Sequence, residues 1–220
     1  MKPTVYKFHT AITAFPDDCW REFEMLSTST LGQLGAAVLA AFEAKGERAW
    51  FLDDGREYYE YLMPDDDFHW AQYSDRKPTD PDYVQLTELR LNRTKELILR
   101  YDLQRQWEFT IRMIGTRHLA NEETSYSFPE FLDGQGGRIL ESYDADFIQK
   151  MAMAQKAGMD TAADIRFQLL LDDDDLKWRF DTFDRKKFEL DFRDEYIKTE
   201  LVCRGFGPEV WYDDPTAKWL

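Results

Sequence analysis

Histidine and cysteine, the residues that most often ligate metals or act as nucleophiles, are scarce in this chain. Its 220 residues include three histidines, His9, His69 and His118, and nothing in their spacing pairs them as metal ligands. Neither of the two cysteines, Cys19 and Cys203, has a histidine near it in sequence, and no Gly-x-Ser-x-Gly segment is present. The sequence therefore shows no catalytic grouping, and it predicts no cofactor and no bound metal.

Long apolar runs are missing as well. The longest apolar stretch, around Ala36–Phe42, is far shorter than the roughly 20 residues that cross a bilayer. The opening residues MKPTVYKFHT lack the apolar core of a signal peptide. The two distant cysteines could pair, but they provide no disulfide framework, and a reducing compartment is favoured. We expect a cytoplasmic protein that does not enter a membrane.

Basic residues are outnumbered throughout the chain. Lys and Arg total 28 against 43 Asp and Glu, which gives a net charge of −15 and a pI of about 4.6. The densest basic run, Arg185–Lys187, is flanked by Asp184 and Glu189. Because such a surface repels phosphate backbones, direct nucleic-acid binding is disfavoured and a basic protein partner is the better electrostatic match.

Aromatic residues, by contrast, are abundant. They make up 15% of the chain, and hydrophobic residues make up 43%. Acidic disordered chains are poor in aromatics, so this composition indicates a folded protein with a sizeable core.

The N-terminal part of the chain predicts two strands and a helix. TVYKFHTAIT alternates, with aromatic side chains on one side and Lys7 and His9 on the other, and CWREFEML predicts its antiparallel neighbour. In STSTLGQLGAAVLAAFEAKG, apolar residues recur at helical spacing. Ser29 or Thr30 can cap the start of this helix, and Gly46 can end it.

Two hairpins are predicted further along. RAWFLDDGREYYEYL turns at Asp54-Gly55, and in LILRYDLQRQWEFTIRM two alternating strands are joined by the polar turn DLQRQ. Between them, residues 64–83 are acidic and rich in Pro and Asp, which indicates a surface excursion with at most one short helix. VQLTELRL predicts one or two helical turns.

The C-terminal part is more helical in pattern. FLDGQGG is typical of a flexible loop, DADFIQKMAMAQKAG predicts a helix that ends at Gly158, and MDTAADIRFQLLL predicts a second helix. Phe188, Leu190 and Phe192 alternate as in a strand, whereas Phe192 and the residues that follow suit a helix, which we favour there. We expect an α+β domain over residues 1–143 and a mainly helical part over 144–220, packed on the same core.

Short segments on the second strand and the first helix carry a family resemblance. They are a Trp-Arg pair, a Thr-Leu-x-x-Leu helix start and an Ala-Phe helix end, at Trp20-Arg21, Thr30-Leu31, Leu34 and Ala41-Phe42. The second hairpin adds Tyr101, Asp102 and Trp107 at the spacing Y-D-F-G-D-x-W. In these features the chain resembles the Ri-plasmid open-reading-frame-three-like family.

The match departs from the family pattern at the hairpin turn. Gln104 and Arg105 stand where the family has a glycine and a second acid, and its Pro-Pro-Glu-Asp segment survives only as glycines and Glu141. The resemblance implies an α+β fold with a curved, mostly antiparallel sheet packed by helices. It also implies an association with plasmids, transposons and other mobile DNA, and it brings no established activity.

Two groups of residues are candidates for partner binding. The first is the hairpin end, and the second is the acidic run before LKWRF; their members are Tyr101, Asp102, Arg105 and Trp107, and Asp172, Asp173, Asp174 and Asp175. The structural alternative for the hairpin is that Trp107 fills the core and Asp102 bonds turn amides. The acidic run lacks the glycine and closing Glu of a calcium loop, so a solvated turn is favoured.

Three functions remain open from the sequence. The first is a non-enzymatic interaction protein of a mobile element, which inhibits a basic, nucleic-acid-handling partner. The second is a metal-dependent enzyme acting on nucleic acid, with either Asp102 and Glu141 or the aspartate clusters as ligands. The third is an oligomeric scaffold that uses its aromatic residues as an interface.

Overall fold

The computed structural model of this chain describes residues 3–60, 77–89, 91, 95–120 and 128–205. Most of the acidic excursion predicted over 64–83, together with His69, therefore lies outside the described residues. The part that is described contains seven strands: β1 (Thr4–Ile12), β2 (Trp20–Leu26), β3 (Trp50–Asp53), β4 (Tyr58–Glu60), β5 (Glu96–Tyr101), β6 (Trp107–His118) and β7 (Glu130–Gln135). It contains four α-helices: α1 (Leu31–Ala41), α2 (Ala145–Lys156), α3 (Ile165–Gln168) and α4 (Arg185–Cys203).

All seven strands belong to one open antiparallel sheet with the order β4-β3-β5-β6-β1-β2-β7. The three longer helices follow or interrupt the strands and do not alternate with them, so the fold is α+β, as predicted. The described residues after β7 are mainly helical, also as predicted. None of the helices in the described ranges is long and apolar enough to cross a membrane.

The N-terminal predictions are confirmed with one change. The Thr30 hydroxyl accepts a hydrogen bond from the amide of Gln33 at 3.2 Å, and the Gln33 side chain accepts one from the amide of Thr30 at 3.1 Å. This reciprocal pair fixes the start of α1. The helix ends at Ala41 and not near Gly46, because Glu43 takes a left-handed conformation with φ of 56°.

Both predicted hairpins are present. The first joins β3 to β4 through Asp54-Gly55, and Asp54 Oδ1 accepts from the amides of Arg56 and Glu57 at 2.9 and 2.8 Å. The second joins β5 to β6 through DLQRQ. Leu86–Leu89 forms the short helical turn expected in VQLTELRL.

Two C-terminal predictions are wrong. The segment FLDGQGG is not a loop, because Glu130–Gln135 is strand β7 and pairs with β2 at the edge of the sheet. The helix predicted over MDTAADIRFQLLL is only the four-residue α3. The segment around Phe188–Phe192, whose pattern fitted both a strand and a helix, lies in helix α4, which begins at Arg185. Phe188, Phe192 and Tyr196 are buried at four-residue spacing, while Leu190 is exposed.

Helices α1 and α4 pack on one face of the sheet. Phe42 beyond α1 lies 4.9 Å from Phe109 of β6, and Phe192 of α4 lies 6.1 Å from Phe23 of β2 (ring centroids). Apolar side chains of α2 belong to the same buried cluster. The opposite face carries cross-strand ion pairs, which are Lys7–Glu22, Arg100–Glu108 and Arg112–Glu96. The main core therefore lies between the sheet and its helices, and a small separate cluster is formed by Val5, Leu26 and Phe128.

Candidate functional site

The polar turn between β5 and β6 is fixed by Asp102. This residue takes a left-handed φ of 56°, and its Oδ1 accepts hydrogen bonds from the amides of Gln104 and Arg105 at 2.9 and 3.2 Å. The amide of Gln106, itself at φ of 57°, donates to the Asp102 carbonyl at 2.7 Å. Aspartate suits this position because its short side chain bonds to nearby backbone amides and tolerates left-handed geometry.

The two aromatic residues of this hairpin lie in the core. Tyr101 and Trp107 are 1% and 0% exposed. The Tyr101 hydroxyl donates a short hydrogen bond to the carboxylate of Glu141, whose Oε1 also accepts from the amide of Lys45 at 3.0 Å. Burial, and next the Glu141 carboxylate, raise the pKa of Tyr101, so the phenol remains a donor. At this hairpin only Asp102 and Arg105 among the four candidate residues retain exposed surface.

A bridge segment, Glu141–Ala145, connects the hairpin to the acidic run. On one side the amide of Ala145 donates to the Arg105 carbonyl at 3.0 Å, and the Arg105 guanidinium lies 3.1 Å from Asp144. On the other side the Tyr143 hydroxyl accepts from the amide of Asp172 at 3.2 Å. The two predicted candidate groups are therefore held by the same short stretch of chain.

The acidic turn, Asp172–Asp175, is a surface feature whose carboxylates point to different partners. Asp175 lies 3.5 Å from Arg138, and Asp174 lies 2.8 Å from Lys177, whose ammonium lowers the pKa of Asp174. Asp172 and Asp173 are exposed and make no ion pair with any residue in the described ranges. In that same part of the chain, no three His, Cys, Asp or Glu side chains gather as metal ligands.

Directly before the acidic turn lies an exposed apolar surface that the sequence patterns did not reveal. Phe167 and Leu171 anchor α3 in the core, with exposures of 9% and 6%. Their neighbours Ile165, Leu169 and Leu170 face outward, with exposures of 61%, 77% and 61%. We call these three residues the apolar ridge. The sequence predicted one long helix over this segment, and it did not indicate which of these apolar residues face the core and which face outward.

Comparison with known proteins places the chain in a family. The plasmid pRiA4b ORF-3-like protein family matches residues 4–192. The chain belongs to this family. No curated protein matches it. A crystal structure of a protein of unknown function from Methanosarcina mazei Go1 is similar, with a TM-score of 0.64 and 13% identity over 85% of this chain and 98% of that one. At this identity the likeness shows a shared fold.

In the Trp-Arg pair of this family member, the arginine has a structural role. Arg21 is fully buried, and its Nε donates to the carbonyl of Ala41 at 2.9 Å, where α1 ends. Its two terminal nitrogens donate to the carbonyls of Trp20, Gln135 and Gly136. Its donors thus tie the end of α1 to the end of β7.

Aromatic rings complete the surroundings of the Arg21 guanidinium. Its central carbon lies 4.1 Å from the ring centroid of Phe183, 5.1 Å from that of Phe42 and 5.5 Å from that of Phe188. Burial lowers the pKa of Arg21 from its ordinary value. Carbonyl dipoles and ring faces stabilise the cation here, which no pattern in the sequence indicated.

We expect Tyr101→Phe to lower the free energy of unfolding by about 1.5–3 kcal/mol, the usual contribution of a hydrogen bond to a charged group. The substitution keeps the buried ring and removes only the donor to Glu141. Urea unfolding followed by circular dichroism measures the change. Tyr83→Phe is the matched control, because Tyr83 is 83% exposed and should show almost no effect. Equal stability of Tyr101→Phe and the unsubstituted protein would contradict the structural role of this bond.

Proposed function

We propose that this chain is a non-enzymatic interaction protein of a mobile genetic element, which binds a basic, nucleic-acid-handling protein. The observation that supports this proposal is the exposure of Asp172 and Asp173 without an ion-pair partner in the described ranges. Unpaired surface carboxylates on a chain of net charge −15 attract basic proteins and repel nucleic acid. The association with mobile elements is proposed from the plasmid origin of the family's name.

The electrostatics also suggest what binding would do. A protein that handles DNA or RNA presents a basic surface to phosphates, and an acidic protein bound at that surface competes for the same contacts. The chain would then inhibit its partner by occupying the place of the nucleic acid.

Two of the carboxylates that the metal-enzyme hypothesis offered as ligands already serve the fold. Asp102 accepts from two turn amides, and Glu141 accepts from the Tyr101 hydroxyl and the Lys45 amide. A cation at either carboxylate would compete with these donors. Interaction through the surface aspartates therefore explains the observed geometry better than metal-dependent catalysis.

The test uses the full-length chain to capture a binding partner, which is then identified. The dissociation constant of the purified complex is measured over a range of salt concentrations. We expect affinity to fall steeply with salt, because exposed charge pairs are screened beyond about 10 Å at 0.1 M. The double variant Asp172→Asn/Asp173→Asn should bind more weakly. The control Glu189→Gln/Asp191→Asn changes the net charge equally at exposed sites on α4. Affinity that is indifferent to salt, or equally weakened in both variants, would refute capture at the acidic turn.

A further inference from the structure

We infer that the apolar ridge, Ile165, Leu169 and Leu170, is a docking surface for the apolar face of a basic amphipathic helix on the partner. The inference rests on the proposed function and deepens it by assigning the chemistry of the bound segment. It makes two demands on that segment, which are apolar side chains for the ridge and Lys or Arg side chains for the acidic turn.

The first demand follows from how α3 is seated. Phe167 and Leu171 are buried and fix the orientation of this turn, so the ridge residues cannot rotate inward without removing the two anchors. Their backbone is already bonded within the turn, since the amide of Leu169 donates to the Ile165 carbonyl at 3.1 Å. Single exposed leucines are ordinary at protein surfaces, whereas larger apolar patches mark interaction sites. Here three exposed apolar side chains lie within six consecutive residues on one anchored turn.

The second demand follows from the charges around the ridge. Leu171 is directly followed by Asp172 and Asp173, which make no ion pair with other described residues. The nearest cation in sequence, Arg166, is already held by its own Asp164 at 2.6 Å. The ridge is therefore followed by exposed carboxylates, while the arginine within its own turn is already paired, and this arrangement matches a basic segment.

A helix is the partner element that meets both demands in a short length. On an amphipathic helix, apolar residues at three- and four-residue spacing form one stripe, and basic residues flank it. A second copy of this chain would bring an acidic turn against an acidic turn at a net charge of −15 on each molecule. Charge complementarity thus favours the basic helix over self-association.

The experiment titrates the full-length chain with a fluorescent helical peptide of leucine and lysine, with the leucines on one face. A peptide of the same composition in scrambled order, which forms no apolar face, is the second probe. We expect the ordered peptide to bind at least about tenfold more tightly than the scrambled one, a difference of about 1.4 kcal/mol. Leu169→Ser/Leu170→Ser should remove that preference at low and at high salt.

Leu190→Ser is the matched control, because Leu190 is 81% exposed on α4, outside the ridge, and its loss should leave peptide binding unchanged. Circular dichroism confirms that each variant is folded.

Equal binding of both peptides, or full binding by the ridge variant, would overturn the docking surface. Salt-sensitive binding of both peptides alike would leave the proposed electrostatic function standing. No binding of either peptide at low salt would count against both. Light scattering that shows a dimer disrupted by the ridge variant would assign the ridge to a second copy.

Discussion

Replacing Arg21 by methionine should lower the free energy of unfolding by about 4 kcal/mol, since a buried acceptor left unpaired costs about 1–3 kcal/mol. Four carbonyls lose this donor, and the hydrogen bonds to those of Ala41 and Gly136 are buried. Methionine keeps much of the side-chain volume among the rings of Phe42, Phe183 and Phe188. The loss should therefore come from the carbonyls at the ends of α1 and β7 and not from a cavity. Urea unfolding followed by tryptophan fluorescence measures it.

Two further variants separate the contributions of charge and geometry at Arg21. Arg21→Lys retains the cation, but a compact ammonium cannot reproduce the planar fork that reaches carbonyls in several directions, so we expect a substantial loss there too. Arg112→Met removes a half-exposed arginine that pairs with Glu96 on the open face of the sheet, and it should cost less than about 1 kcal/mol. Similar losses for Arg21→Met and Arg112→Met would show that the buried cation has no special structural role.

Gly136→Ala should destabilise the protein by about 3 kcal/mol. Gly136 has a φ of +80°, and a Cβ there would lie 2.2 Å from the Asp18 carbonyl oxygen and 2.9 Å from that of Phe180. The left-handed conformation alone costs an alanine about 1–2 kcal/mol, and overpacking against backbone adds about 1–3 kcal/mol. The backbone atoms cannot move aside as a flexible side chain could. Thermal and urea unfolding measure the loss.

Gly158→Ala is the control for Gly136→Ala. Gly158 has nearly the same φ, +82°, but a Cβ there would meet nothing within 4 Å. The difference between the two variants therefore reports the close contacts with the backbone atoms of Asp18, Cys19 and Phe180. If both variants lose the same stability, close packing around Gly136 contributes nothing and the conformational cost explains everything.

The sequence was a good guide where periodicity was long and regular. The strands β1, β2, β5 and β6 and the helix α1 alternate or repeat over many residues, so their patterns identified them. Strand β7 has no such regular pattern and was predicted as a loop, because Phe131 is its only buried apolar residue and Gly134 suggested a turn. The glycine has another cause, since a Cβ there would lie 2.7 Å from the Arg21 side chain. A glycine that permits close packing cannot be told from a turn glycine by sequence alone.

The prediction of helix length in the C-terminal part was wrong for a related reason. Apolar residues at helical spacing in MDTAADIRFQLLL predicted a long helix, yet only Phe167 and Leu171 reach the core and α3 has four residues. In α4 the strand-like alternation was misleading, because Leu190 is exposed and the buried residues follow a four-residue spacing. Which apolar residues face inward depends on neighbouring elements, which local patterns do not contain.

At the candidate site, the sequence correctly placed Asp102 in a turn and Trp107 in a strand. Their roles are those of the structural interpretation, in which Asp102 bonds turn amides and Trp107 fills the core. The sequence marked Arg21 only as part of a family motif and gave no sign of its burial, since an arginine within a strand is usually a surface residue and its acceptors lie as far away as Gly136. It also gave no sign that Glu141–Ala145 joins the hairpin to the acidic turn. Both features are made by contacts between distant parts of the chain.

The position of β1 has a consequence for how the protein is made. Its pairing with β2 is local, but its other edge is closed only by Trp107–His118, far along the chain. While a ribosome synthesises the intervening residues, the β1–β2 hairpin has an open edge on which another nascent chain could add a strand. Changes that delay β6 should therefore appear first as aggregation during translation, even where the finished protein is stable.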